Sequence, residues 1–200
     1  MSEQVLQVFA KAPVAGFVKT RLIDDIGTQD ACTLYLELLQ QTLQLAGNHV
    51  ARTQLYCAPN EQHDFFQGCV QRYSLELCTQ VGDDLGDRML DALEQGLKTH
   101  QKVVLIGSDC PVLTHSYLNE AFEALELVDV VLGPAEDGGF VLIGCRVTHL
   151  DMFKGVSWGG SSVLKNTLGA LNNIGLEHQL LTTLWDVDRL EDLRRWQAMS

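Results

Sequence analysis

Short, wholly apolar runs alternate along this chain with longer stretches in which apolar residues recur every three to four positions. The runs "VLQVFA" (5–10), "TQLYCA" (53–58), "KVVLIGSDCP" (102–111), "DVVLG" (129–133) and "FVLIG" (140–144) read as strands buried on both faces. The third run is the clearest, and Pro111 closes it. Weaker strand patterns occupy 74–80 and 179–185. Helical spacing appears over 28–47, 61–70, 83–100, 114–126, 161–175 and 189–199. Thr28 suits the cap of the first of these and Gly47 its stop. Strand and helix alternate throughout, with no repeat, low-complexity tract or linker. The pattern predicts one domain, an α/β sandwich around a mostly parallel sheet. One short stretch departs from it: "GPAEDGGFVLIG" (133–144) places two acids and two glycines between buried strands. That implies at least one antiparallel strand, joined through a turn.

Composition narrows the function classes. The chain has 200 residues, 46% of them apolar, and a formal net charge of −12. A nucleic-acid binder needs basic surface to replace counterions, so that class is disfavoured, as is an anionic membrane surface. A small phosphate ligand remains compatible, because a divalent metal or local Lys and Arg offset the global field. No apolar run is long enough to span a bilayer, and the N-terminus lacks a signal-peptide pattern. The six cysteines form no C-x-x-C pair and mostly sit in apolar stretches. They read as reduced core thiols of a cytoplasmic protein.

In such sheets ligands sit outside the carboxyl ends of the strands, and the polar motifs fall there. "KAPVAGFVKTRL" (11–22) follows the first strand and carries Lys11, Lys19 and Arg21 around Gly16 in an otherwise acidic chain. Backbone N–H groups at a glycine turn, together with these cations, suit a polyphosphate; a solvated loop fits equally well. It is not a Walker loop, since G-x-x-x-x-G-K-[ST] is absent. In "GSDCP" (107–111), Asp109 stands where a strand meets the surface, fit to ligate a metal or to cap a turn. Asp137 faces Gly138-Gly139, where a backbone without side chains permits close approach to a ligand; a plain hairpin turn competes. In "WDVDRLEDL" (185–193), Asp186 and Asp188 share a side if the chain is extended. With Asp109 they make a hard-cation site for magnesium or manganese; Asp188 also reads as the cap of the last helix. "QVGDDLGDRM" (80–89) offers Gly82 and Arg88 as pocket walls, although a simple helix N-terminus fits it better. In "GVSWGGSSV" (155–163), Trp158 is placed to stack on a sugar or base, and the serines to cap a helix. No catalytic triad or zinc spacing appears.

Taken together and in this order, "FAKAPVAGFVKTRL", "GDDLGDRM", "IGSDCP", "GPAEDGGFVLIG" and "WDVDRLEDL" resemble the bacterial nucleotide-diphospho-sugar transferase superfamily. Within it the likeness is to transferases sometimes called radical-SAM/selenodomain-associated. More distantly the order is similar to guanylyltransferases acting on 2-phospholactate and on molybdenum cofactor. The resemblance implies a three-layer α/β/α sandwich, the Rossmann-like glycosyltransferase-A fold with a mixed sheet. It implies a nucleotide held by Lys11, Ala12, Pro13, Gly16, Lys19, Arg21, Gly82 and Ser108. It further implies Mg2+ or Mn2+ on Asp109, Asp186 and Asp188, and an acceptor at Asp137, Gly138, Gly139 and Trp158. Lys19, Arg21 and Asp137 carry the catalytic roles. Two departures stand out: Phe140 where the family has Tyr, and Gly159-Gly160 where it has Ser-Thr.

The expectation is a metal-dependent, nucleotide-using transferase. Nucleotidyl transfer from a nucleoside triphosphate and glycosyl transfer from a sugar nucleotide, each to a small acceptor, share this site. The three cations favour a triphosphate and the superfamily favours a sugar nucleotide. A nucleotide-binding scaffold without turnover is the alternative. The sequence does not fix the oligomeric state; pairing of exposed sheet edges into a homodimer is common for such sheets.

Overall fold

The computed structural model describes residues 3–199. Seven strands run in chain order: β1 (Gln4–Lys11), β2 (Arg52–Ala58), β3 (Glu76–Thr79), β4 (Lys102–Ile106), β5 (Val130–Pro134), β6 (Phe140–Cys145) and β7 (His178–Leu180). Between them lie α1 (Ile23–Ile26), α2 (Thr28–Gly47), α3 (Asp64–Tyr73), α4 (Leu85–Leu97), α5 (His115–Ala124), α6 (Val163–Asn173) and, last, α7 (Leu190–Gln197). The sheet order is β3-β2-β1-β4-β6-β5-β7. β6 is antiparallel to both neighbours, and every other pairing is parallel. This is the mixed-sheet glycosyltransferase-A fold.

The apolar runs are continuous because helices cover both faces of the central strands. On β1, Leu6, Val8 and Ala10 join one core with α2, α3 and α5. Val5 and Phe9 point the other way, into a core with α4 and α6. Gln7 interrupts the run, but its amide donates to the Ala92 carbonyl at 2.7 Å and to Gln54 Oε1 at 3.2 Å. Those bonds satisfy its amino group, while its Oε1 is buried without a hydrogen-bond partner among the described residues. A third cluster, with Leu34, Leu38, Trp185, Val187 and Leu193, fastens the chain's end onto α2. Fully buried leucines such as Leu6, Leu55 and Leu93 each contribute about 1.5–3 kcal/mol.

Several local expectations are corrected. The cap of α2 is Gly27, and Thr28 is its first helical residue. Ser162 precedes α6 but makes no capping bond. β4 ends at Ile106, so 107–111 is loop rather than strand. The strand read over 179–185 shrinks to β7 plus one bridge between Ala135 and Leu184. The remainder becomes a strap along the sheet rim. No helix among the described residues is long and apolar enough to cross a membrane.

Candidate active site at the carboxyl rim

Parallel strands deliver their following loops to one rim, and the reversed β6 returns the 135–139 turn to that same rim. The strap is pinned there by backbone bonds from Leu181 to Leu132, Leu184 to Pro134 and Val187 to Asp109. Trp185 and Val187 bury their side chains, 6% and 0% exposed. Alternation in an extended segment then turns Asp186 and Asp188 to the opposite side, toward the rim. Asp188 does not cap α7. The Asp192 carboxylate does, accepting from the Asp188 and Arg189 backbone N–H groups at 3.1 and 2.8 Å.

Lys19 enters from the loop after β1. Its backbone is left-handed, φ 46° and ψ 42°, a strained state for a residue with a Cβ. The side chain is 5% exposed, and its ammonium donates to Asp109 Oδ2 and Asp188 Oδ1, both at 3.0 Å. Arg21 Nη1 donates to Asp188 Oδ2 at 2.7 Å. Burial alone would lower the Lys19 pKa, but the two carboxylates more than offset it and hold the group well above its usual value. The same balance acts on Asp188: burial opposes ionisation, while Lys19 and Arg21 keep the carboxyl below its ordinary range.

Carboxylate oxygens of Asp109, Asp186 and Asp188 all lie within 4.8 Å of one another. Asp186 is pushed up to about 7 by burial, with Asp109, Asp188 and Asp137 adding their negative fields. No described residue donates a hydrogen bond to its carboxyl. Four carboxylates (Asp109, Asp137, Asp186, Asp188) therefore face two cations, Lys19 and Arg21. This oxygen-only, charge-deficient donor set fits a hard divalent ion such as magnesium or manganese.

Two cavities meet at this cluster. One, of about 350 Å³, is walled by Lys11, Phe17, Lys19, Gln80, Leu85 and Ser108. The other, of about 530 Å³, is walled by Asp137, Gly160, Trp185, Asp186 and Arg189. Arg21 and Asp188 line both. The cluster thus stands between two spaces large enough for separate ligands.

The remaining sequence-expected residues divide. Lys11 reaches the first cavity, and both its backbone N–H and carbonyl bond the Tyr35 hydroxyl, at 2.8 and 2.9 Å. Ser108 also lines this cavity. Ala12, Pro13 and Gly16 line neither cavity. The N–H groups of Ala12, Val14 and Phe17 already bond the carbonyls of Ala58, Ala12 and Val14, so they form no open phosphate nest. Gly82 is likewise off both cavities, and its carbonyl accepts from Arg88 Nε at 3.0 Å, which turns Arg88 back on its own loop. Gly138 is explained by the chain itself. Gly138 has φ +92°, and a Cβ there would lie 2.1 Å from the Ser161 carbonyl oxygen. Asp137 Oδ1 accepts the Gly139 N–H at 2.8 Å, closing the turn. Trp158 lines neither cavity: its ring meets Phe140 and Phe153 edgewise, with centroids 6.4 and 5.7 Å away, and abuts Gly86. It packs the core edge rather than facing a ligand.

Other residues at the site went unread in the sequence. Tyr35 sits at core spacing on α2, which disguised its polar tip. Arg195 on α7 grips Glu136 with two bonds, 2.7 and 3.2 Å, while its guanidinium lies 4.2 Å over the Trp185 ring. That tie links the last helix to the 135–139 turn across 59 positions.

Comparisons with known proteins agree with this fold. The family profile described as "uncharacterized protein conserved in bacteria", DUF2064, matches residues 38–160. A structure from Desulfovibrio desulfuricans G20, provisionally assigned as a nucleotide-diphospho-sugar transferase, is 32% identical. It superposes with a TM-score of 0.90 over 98% of this chain and 87% of its own. CMP:2-keto-3-deoxy-manno-octonic acid synthetase complexed with CTP is 13% identical, with a TM-score of 0.59 over 99% of this chain and 98% of its own. A manganese complex of Rv0371c from Mycobacterium tuberculosis H37Rv is 14% identical, with a TM-score of 0.54 over all of both chains. At those lower identities the likeness is one of fold. No curated protein matches the chain.

Proposed function

The chain belongs to the DUF2064 family of bacterial proteins, and on that premise we propose that it is a metal-dependent, nucleotide-using transferase. The observation that carries this is the meeting of two cavities at Arg21 and Asp188, beside Lys19, Asp109 and Asp186. The likeness to the D. desulfuricans protein supports it, as do CTP in one relative by fold and manganese in another.

Each residue then has a task. Asp109, Asp186 and Asp188 hold Mg2+ or Mn2+. The ion supplies charge neutralisation at a phosphate when bound. Lys11, Lys19 and Arg21 offset the negative charge gathering on the leaving phosphates, and Ser108 lines the nucleotide's cavity. Asp137 lies in the second cavity, where it orients a small acceptor or takes its proton. In nucleotidyl transfer an acceptor oxygen attacks the α-phosphorus, the bond to the β-phosphate oxygen breaks, and pyrophosphate leaves. In glycosyl transfer the acceptor oxygen attacks the anomeric carbon of a sugar nucleotide, and the nucleoside diphosphate leaves. Both are catalysed by positioning and electrostatics. The number of cations favours the first.

Mixing the protein with nucleoside triphosphates, magnesium or manganese, and candidate phosphates and polyols tests this. Pyrophosphate release identifies nucleotidyl transfer. Slow hydrolysis of a sugar nucleotide without acceptor identifies glycosyl transfer. Neither activity, with nucleotide binding that ignores the metal, leaves a scaffold and overturns the transferase.

A further inference from the structure

The first cavity has an apolar lip that the phosphate chemistry does not use. Phe17 is 74% exposed and Leu85 is 44% exposed, and both line the cavity that holds Lys19 and Ser108. They come from separate elements: Phe17 from the loop after β1, and Leu85 from the first position of α4. Local backbone sets the presentation of Phe17. Its N–H bonds the Val14 carbonyl at 3.0 Å, closing a four-residue turn whose third residue is Gly16 at φ +89°. That is the positive-φ position a type II turn demands. The turn therefore holds a large aromatic face out at the cavity mouth instead of folding it into the core.

Gln80 completes the lining. Its Nε2 donates to the Tyr56 carbonyl at 2.9 Å and to the Ala10 carbonyl at 3.3 Å. With its amino group so tied, the oxygen is the atom its side chain offers to a ligand. No described residue donates to that oxygen.

We infer that Phe17 and Leu85 form an apolar clamp on a nucleobase, with Gln80 Oε1 accepting a hydrogen bond from a base N–H. This rests on the nucleotide reading above. A polyphosphate at Lys19 leaves its nucleoside to extend along the cavity, where Phe9, Ala10 and Val18 add apolar lining to Phe17 and Leu85. A ring of sp² atoms is the ligand part that gains from an exposed aromatic face, a flat aliphatic contact and an in-plane acceptor. Stacking on Phe17 is indifferent to which base is present, whereas Gln80 selects for an edge that carries a donor.

Binding measured by calorimetry with magnesium tests the clamp, using ATP, GTP, CTP and UTP against inorganic tripolyphosphate. Phe17→Ala should weaken the best nucleoside triphosphate about 5- to 100-fold, the scale of one base stacked on an aromatic side chain. Tripolyphosphate affinity should not change, and Phe17→Trp should restore nucleotide binding to within about threefold. Because Phe17 lies at the surface, the fold does not depend on it. Nucleotide affinity unchanged in Phe17→Ala would overturn the clamp and leave the nucleotide reading standing. Equal weakening of both ligands would also overturn it, assigning Phe17 to the phosphate loop. A native protein that binds tripolyphosphate as tightly as any nucleotide removes the base contact altogether. One that binds neither overturns the clamp together with the reading beneath it.

Discussion

The ammonium nitrogen of Lys19 lies 3.0 Å from Oδ2 of Asp109, although 90 positions separate the two residues in sequence. The loop after β1 and the loop after β4 leave adjacent parallel strands at the same rim, and this ion pair ties them. Asp109 also accepts the Val187 N–H on its backbone carbonyl at 3.0 Å, so three segments converge on one residue.

Asp109→Asn keeps the shape and one acceptor oxygen but removes the charge. The expected outcome is loss of transferase activity with a cost of about 1–3 kcal/mol. At about 2–4 °C per kcal/mol for a chain this size, the thermal midpoint falls by only a few degrees to about 12 °C. An active variant that melts far earlier would make Asp109 a loop brace and nothing more.

Lys19→Met leaves Asp109 and Asp188 without their shared buried cation. A loss of about 3–5 kcal/mol is expected, as for other broken buried pairs. Manganese should recover more of the melting temperature in this variant than in the native protein, since the ion replaces the missing charge and binds only the folded chain. Equal recovery in both proteins counts against a shared carboxylate site.

Asp186 gives a pH signature. Its folded pKa is pushed up to about 7, above the ordinary carboxylate range, first by burial and then by neighbouring carboxylates. The folded state therefore binds the proton more tightly than the unfolded one. The associated stability is full below the unfolded value and is lost as pH rises from about 4 through about 7. Metal affinity should rise over the same interval, because binding displaces that proton. Asp186→Asn should flatten both curves; a titration of melting temperature and manganese binding from pH 4 to pH 8 reads them directly.

The two adjacent glycines should respond unequally. Gly138→Ala sets a methyl 2.1 Å from the Ser161 carbonyl oxygen at φ +92°. It should cost about 2–4 kcal/mol through backbone strain and displacement of the 161 segment. Gly139→Ala meets only Asp137 Oδ1 at 3.1 Å, so its melting temperature should change by the equivalent of less than about 1 kcal/mol. Comparable losses in both would mean that the turn tolerates no side chain at all.

The strands and their order along the chain were legible because helices bury both faces of the central sheet, leaving runs such as "KVVLIG" almost without polar residues. The loops at the rim were legible because charge there interrupts apolar pattern. Which charges pair was not. Lys19 lies 169 positions from Asp188, and nothing local encodes that contact. Gly138 shows the other limit: positive φ was expected of it, but the Ser161 carbonyl oxygen that leaves no room for a Cβ lies 23 positions away and is not encoded locally. Trp158 was read from its chemistry as a platform, yet Phe140 and Phe153 claim its edges. The 179–185 strand was cut short because Leu184 bridges to Ala135, outside the β5 ladder, while Trp185 and Val187 turn into the cluster on α2.

The strap that carries Asp186 and Asp188 is fastened by the Val187 bond to Asp109 and is the last part of the rim to be made. During synthesis all seven strands precede it. A nascent chain halted after β7 holds every strand of the sheet but only one of the three clustered aspartates. The three carboxylates can therefore share one ion only once residues 186–188 have joined the rim, so the sheet precedes the cluster it carries.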